Sequence, residues 1–255
     1  LSAKPGSRGA VLRDLRQQGS LRALFPRNHG ADLQAVLVNT AGGITGGDRF
    51  AISARADAGT ELTLTTQAAE RAYAAQPGEV GTLRNRLFVG PDARLNWLPQ
   101  ETILYQNCAM DRALSVELAE NASVLLAEPL VFGRTAMGET LTQVSFRDRI
   151  EIRRRGEVLF LDAMDLTGDI AARLARSTIA NGAAALVTLI YIAPDAEAHL
   201  DPLRMMLPDS AGASLIRDDV LFLRILAEDS YLLRRALIPI LNRLTGDALP
   251  RPWML

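Results

Sequence analysis

From Ala35 to about Met164 the chain reads as a succession of short β-rich pieces, each ended by Gly, Pro or an Asp-containing turn. So long a stretch with little helical periodicity commits the chain to a mainly β architecture. Val144, Phe146, Ile150 and Ile152 alternate with Ser145, Arg147, Arg149, Glu151 and Arg153, the period of a half-buried strand. Arg154, Arg155, Gly156 and Glu157 then turn the chain, and Val158 to Leu161 completes a hairpin. Leu114, Val116 and Leu118 give another alternating stretch just upstream. No sequence period typical of repeat arrays is visible at the level of residue identity, which a coiled β architecture does not require.

After Thr167 the pattern changes. Leu186 to Ile192 is a continuous apolar strand candidate, while Ile170 to Ala180 fits neither template. Pro194 and Asp195 open a short helix through Met206, closed by Pro208. Ala213–Ile216 and Val220–Leu226 flank Asp218 and Asp219 as a strand pair. Asp229 caps a longer helix from Ser230 towards Leu244, with Gly246 as its stop. Pro239, which lacks an amide proton and crowds the preceding turn, is expected to kink that helix or end it early. With no low-complexity linker, residues 1–255 read as one domain, strand-rich over 35–166 and mixed over 167–255.

Composition narrows the function classes. The 28 basic and 29 acidic residues leave a formal charge of -1, so no global field draws nucleic acid or anionic lipid. The longest apolar stretch, Ala183 to Ala193, falls well short of the roughly 18 to 20 residues that cross a bilayer. The first residues lack the basic-then-apolar pattern of a secretion signal, which leaves a cytoplasmic protein as the expectation. One cysteine, Cys108, excludes an intrachain disulfide, and the two histidines, His29 and His199, read as ordinary surface residues. Triads, zinc hydrolysis and thiol catalysis need His and Cys at fixed relations, and with one Cys and two His these are nearly absent, so any catalysis is expected to run on carboxylates.

The run Gly42, Gly43, Ile44, Thr45, Gly46, Gly47, Asp48, Arg49 looks like a phosphate cradle and chemically is not one. A phosphate loop continues with Lys and then Ser or Thr, and here Asp48 and Arg49 stand in those places. The glycines then serve a sharp turn and close backbone approach, and Asp48 and Arg49 in isolation read as a turn with an exposed ion pair. Three further polar clusters fall where a strand meets a turn or follows one: Thr65 to Tyr73 with Glu70 and Arg71, Trp97 to Thr102 with Pro99, Gln100 and Glu101, and Glu128 through Gly133, Arg134, Gly138 and Glu139. Glu101 sits against an apolar strand end, where an unpaired carboxylate is costly, so it calls for a cationic partner or a proton.

Taken in this order, the clusters resemble the urease accessory protein UreD family, also called UreH. The matching text is Leu37 to Arg49, Thr65 to Tyr73, Trp97 to Ile103 and Gly133 to Glu139, and Pro250 to Trp253 is similar to the family's end. Ala41 stands where a Pro or Ser is common, and the resemblance is weaker from Thr167 to Leu226. It implies a β-helical stack of strands with two helices and a non-catalytic maturation factor that joins UreF and the GTPase UreG to urease apoprotein while nickel enters. GTP then belongs to UreG, and no cofactor is held tightly. Carboxylates make weaker and more exchangeable nickel sites than imidazole or thiolate. With the family's proposed conduit role, this suggests a hydrated passage for transient Ni²⁺ lined by Asp48, Glu70, Glu101, Glu128 and Glu139. Two other readings stay open: a passive adaptor without a metal path, and a carboxylate-based β-fold hydrolase. Against the hydrolase, aromatic residues are only 5% of the chain, thin for sugar platforms.

Overall fold

The structure, a computed structural model, describes residues 1–27 and 30–254; the expectation for His29 lies outside the described residues. The strands are β1 (Ser2–Gly6), β2 (Gly9–Asp14), β3 (Leu21–Leu24), β4 (Leu33–Asn39), β5 (Arg49–Ala56), β6 (Glu61–Thr66), β7 (Glu70–Ala72), β8 (Gly81–Val89) and β9 (Arg94–Leu98). They continue as β10 (Thr102–Leu104), β11 (Ala109–Leu118), β12 (Ser123–Phe132), β13 (Val144–Arg154), β14 (Glu157–Gly168), β15 (Ala185–Ile192), β16 (Ala211–Arg217) and β17 (Val220–Ala227). Among the described residues three α-helices follow or interleave: α1 (Ile170–Leu174), α2 (Ala196–Arg204) and α3 (Ser230–Thr245).

Between β4 and β13 the chain winds back and forth between two sheets in a β-helical stack of about four turns. In one sheet β5, β8, β11 and β13 stack in parallel; in the other β4, β6, β9 and β12 do so. Parallel stacking of successive turns buries one face of every strand, which is why each carries apolar residues at alternate positions. Leu62, Leu64, Leu95, Val124 and Leu126 from one sheet meet Ala54, Leu87, Leu114, Val116 and Ile150 from the other in the central core. The β13–β14 hairpin turns at Arg155 and Gly156, both at positive φ, the conformation a two-residue turn needs.

The second sheet has a covered outer face. β15, every residue of which is buried, and β17 extend it, and α3 lays Leu233, Leu237, Ile240, Leu241 and Leu244 onto it. Asp229 caps α3 by accepting from the Leu232 amide, and Gly246 ends it in the left-handed conformation. Pro239 neither ends nor shortens this helix, which continues to Thr245. Pro239 is exposed, so the bond it cannot make is lost on the solvent side, while the buried stripe holds the helix to the sheet. The guanidinium of Arg94 on β9 caps the helix's far end, donating to the Leu244 carbonyl at 2.6 Å. α1, a single turn capped by Asp169, lies in the segment whose sequence pattern was ambiguous.

Two strands of the second sheet are broken in register. β6 resumes as β7 after Gln67–Ala69, and β9 resumes as β10 after Pro99–Glu101; β7 pairs with β10, and β10 pairs with the last residues of β12. One turn earlier, the break after β4 carries the glycine run, and Ile44 bridges in parallel to Ala72. Three of the four sequence clusters are therefore one structural feature repeated on successive turns: a gap in the strand.

Candidate functional site

The stacked breaks open into a cavity of about 410 Å³ between the sheets. Its outer part is formed by Gly42, Gln67, Ala68 and Arg71, and its deep end by Trp97, Thr102, Arg112 and Glu128. It lies between two apolar clusters, one holding Leu64, Trp97 and Leu126, the other Ile44, Leu104, Leu130 and Phe146. β12 runs past the breaks uninterrupted and places Glu128 beside them, between the inward-facing Leu126 and Leu130.

Glu128 is held at both oxygens. Trp97 Nε1 donates to Oε1 at 2.6 Å, and Arg112 Nη1 donates to Oε2 at 2.6 Å. The same guanidinium makes a two-point contact with Asp148 on β13, Nε to Oδ1 at 2.9 Å and Nη2 to Oδ2 at 2.6 Å, and Nη1 also reaches Thr102 Oγ1 at 3.1 Å. Arg112 and Glu128 are each only 3% exposed. Burial pushes the Glu128 carboxyl above the usual range, against the pull of Arg112. Burial opposes the charge on Arg112 as well, but Asp148 and Glu128 outweigh it and keep its proton above the usual guanidinium range.

Glu70 begins β7 at the near side of the cavity. Asn39 Nδ2 donates to both its oxygens, at 3.3 and 3.1 Å, and the Arg71 amide donates to Oε1 at 3.0 Å. Burial raises its carboxyl from the usual range, with the nearby Asp48 charge adding to the shift. Two further buried atoms of the lining lack a protein partner, the acceptor Asn85 Oδ1 and the donor Gln100 Nε2. Uncompensated polar atoms of this kind on a cavity wall suit a wet interior.

The five acids named from the sequence thus separate. Glu70 and Glu128 line the cavity; Asp48, Glu101 and Glu139 do not. Asp48 accepts from the Thr45 amide at 2.9 Å within its own turn, and Arg49 starts β5 as an exposed residue. Glu101 turns to the other face of the sheet and pairs with Arg234 of α3 at 3.1 Å, the same guanidinium that reaches Gln100 Oε1 at 2.6 Å. Glu139 takes Arg134 in a two-point pair at 3.0 and 2.9 Å, inside the loop from Gly133 to Gly138, and faces a separate pocket of about 290 Å³. The hydrogen bond from Arg134 holds Glu139 down at about 2. Because its folded value lies below the ordinary carboxylate range, its stabilising contribution is present above that range and is lost as pH falls through about 2. An NMR titration should find Glu139 at about 2, and Arg134→Gln should return it towards the ordinary carboxylate range.

The glycines divide by purpose. Gly42 and Gly47 stand at φ 83° and 81°, where a side chain is strained. A Cβ on Gly43 would strike the Tyr73 ring and lie 2.8 Å from the Arg71 carbonyl oxygen, and one on Gly46 would lie 2.6 Å from Glu79 Cβ. The run packs edge-on to β7: Ile44 donates to the Arg71 carbonyl at 2.7 Å, and Arg71 Nη1 donates to the Gly42 carbonyl at 3.2 Å. His199 differs from a simple surface residue, since its ring packs edge-on against Tyr191 and its Nε2 lies 3.3 Å from Asp195 Oδ2. Cys108 is buried, and burial pushes its thiol up to about 11.

Arg112, Asp148 and Asn85 are missing from the sequence-derived set, although a signal for them exists. Each occupies an inward position of its strand, in phase with Met110 and Leu114, Phe146 and Ile150, or Leu83 and Leu87. A charge or amide in the apolar phase of a strand marks a buried polar contact.

Among the described residues no group of three His, Cys, Asp or Glu is placed to hold a metal ion, and no helix is long and apolar enough to cross a membrane. Fold and site together define a mainly β, β-helical protein organised around an interior cavity whose largely apolar wall carries a few buried polar and charged side chains. Residues 1–254 match the model of the family described as UreD urease accessory protein, and the chain belongs to that family. It is 58% identical over 244 residues to a protein of Ruegeria pomeroyi named Urease accessory protein UreD, covering 96% of this chain and 95% of the relative. A protein of the same name from Roseobacter denitrificans is 49% identical over 255 residues, 100% of this chain and 93% of the relative. One from Methylobacterium is 45% identical over 249 residues, with 95% and 88% covered. These relatives are named as accessory proteins, not as enzymes.

Proposed function

We propose that this chain is a cytoplasmic urease maturation factor that joins UreF and the GTPase UreG to urease apoprotein and passes Ni²⁺ through the cavity between its sheets. Family membership over residues 1–254 supports the maturation role. The observation that carries the passage is the placement of Glu70, a half-buried carboxylate, on a cavity whose wall also holds an uncommitted buried acceptor, Asn85 Oδ1. Oxygen donors hold nickel loosely, and each tenfold in affinity adds about 1.4 kcal/mol to the release step, so a carrier gains from such a site. In this reading the nucleotide belongs to UreG, as the family resemblance implies, and the absence of a phosphate-loop lysine beside Asp48 and Arg49 agrees with it.

The adaptor reading without a metal path draws on a different observation. Asp48, Glu101 and Glu139 are each committed to a local structural contact outside the cavity, as parts of a rigid docking scaffold would be. The hydrolase reading loses support from Glu128, whose two oxygens are taken by Trp97 and Arg112 and offer nothing to a substrate.

Glu70→Gln separates passage from adaptor. Nickel content of urease matured with this variant should fall several-fold while UreF and UreG are still retained in pull-downs. Full loading would leave the adaptor reading alone, and loss of UreF together with nickel would move Glu70 to an interface role.

A further inference from the structure

The guanidinium of Arg112 sits where a cation would sit. Glu128 Oε2 and Thr102 Oγ1 accept from its Nη1, and the two oxygens of Asp148 from its Nε and Nη2, at 2.6 to 3.1 Å, and Arg112, Glu128 and Thr102 are themselves cavity wall. Two carboxylates and a hydroxyl are oxygen donors of the kind that bind divalent cations, once they can close to metal–oxygen distance. In the native chain that set is filled by a fixed, non-titrating charge.

We propose that Arg112 is a positioning residue that keeps the deep end of the cavity from retaining a divalent metal ion, by occupying the Glu128–Asp148–Thr102 oxygen set with its own guanidinium. Its purpose rests on the passage reading above: a cavity that carries a metal onward must lack a tight stop, and Arg112 removes the one that its neighbours would create. Among the described residues Glu70 then remains as the one cavity-lining carboxylate without an ion pair to an arginine side chain. The distinction is electrostatic, because Lys at this position would keep the charge, whereas a neutral side chain would free both carboxylates.

The test uses the full chain and Ni²⁺ alone. Arg112→Ala should bind Ni²⁺ at least about tenfold more tightly than the native chain in calorimetric titration, and its Tm should rise with Ni²⁺ concentration while the native Tm barely moves. Arg112→Ala combined with Glu128→Gln should lose that gain. Native-like weak binding by a folded Arg112→Ala chain, or a gain that survives Glu128→Gln, overturns the proposal. If Arg112→Ala does not fold without metal, refolding in Ni²⁺ decides: recovery of the native circular dichroism spectrum supports the site, and failure at every concentration overturns it. The passage reading is judged separately, since full urease loading by Glu70→Gln would remove it without changing the ratio of affinities measured here.

Discussion

Asp148→Ala is expected to lower the free energy of unfolding by about 3–5 kcal/mol, the cost typical of stripping one partner from a buried ion pair. Asp148 accepts two hydrogen bonds from Arg112, a residue 3% exposed, so its loss leaves a buried guanidinium with Glu128 and Thr102 only. The effect reaches across the fold, because Arg112 and Asp148 belong to one sheet and Glu128 to the other. Urea denaturation measures it as a lower midpoint with an unchanged slope. Asp148→Asn, which keeps one acceptor, should lose less. Simultaneous replacement of Arg112, Glu128 and Asp148 by apolar residues of similar volume should recover most of the loss, since such cores are often as stable as the ion network they replace. A loss under about 1 kcal/mol in Asp148→Ala would mean that the network is solvated and not a buried strut.

Trp253→Ala should cost a comparable amount, about 3–5 kcal/mol, for a different reason. Its ring is fully buried in the core beneath α3, and Nε1 donates to the Leu98 carbonyl at 2.9 Å. The guanidinium of Arg234 lies 5.0 Å from its ring centroid and also donates to the Trp253 carbonyl at 3.1 Å. Trp253, Arg234, Glu101 and Gln100 thus tie the break between β9 and β10 to the last helix and the final turn. The alanine variant leaves a cavity and an unsatisfied Leu98 carbonyl, and chemical denaturation should report both. Trp253→Phe isolates the hydrogen bond, with an expected cost of about 1–3 kcal/mol for the buried acceptor left behind. Because the tether ends at the cavity's rim, hydrogen exchange at Gln100 to Thr102 should quicken in the alanine variant more than exchange in β13.

Much of this was legible in the chain. Alternation placed β13, the turn after it and a short apolar run placed the first residues of β14, Asp229 and Gly246 bounded α3, and an all-apolar run placed β15. These succeed because each depends on contacts within a strand, a helix or a hairpin. The early end expected at Pro239 did not occur, because local propensity was overridden by the buried stripe of α3.

The destination of the acids was not legible. Glu70, Glu101 and Glu128 each stand within three residues of a Gln or Pro in the sequence, and nothing local tells them apart. Two reach the cavity and one turns away to Arg234, which lies 133 residues further along the chain. Period-two alternation assigns a face inside a strand, but at a break the backbone direction resets, and the stacked neighbours decide which way the next side chain points.

The sequence by itself therefore determined the mainly β class, the principal hairpin and helix limits and, through four clusters in register, the resemblance to the UreD family. Tertiary structure alone decided that three of those clusters are one strand break repeated on successive turns, that the breaks enclose a cavity, and that Arg112, held by Asp148, closes its deep end beside Glu128. The physical reason is range: propensity and periodicity report on neighbours within a strand, whereas the cavity is built by residues that meet only when the turns of the stack are laid on one another.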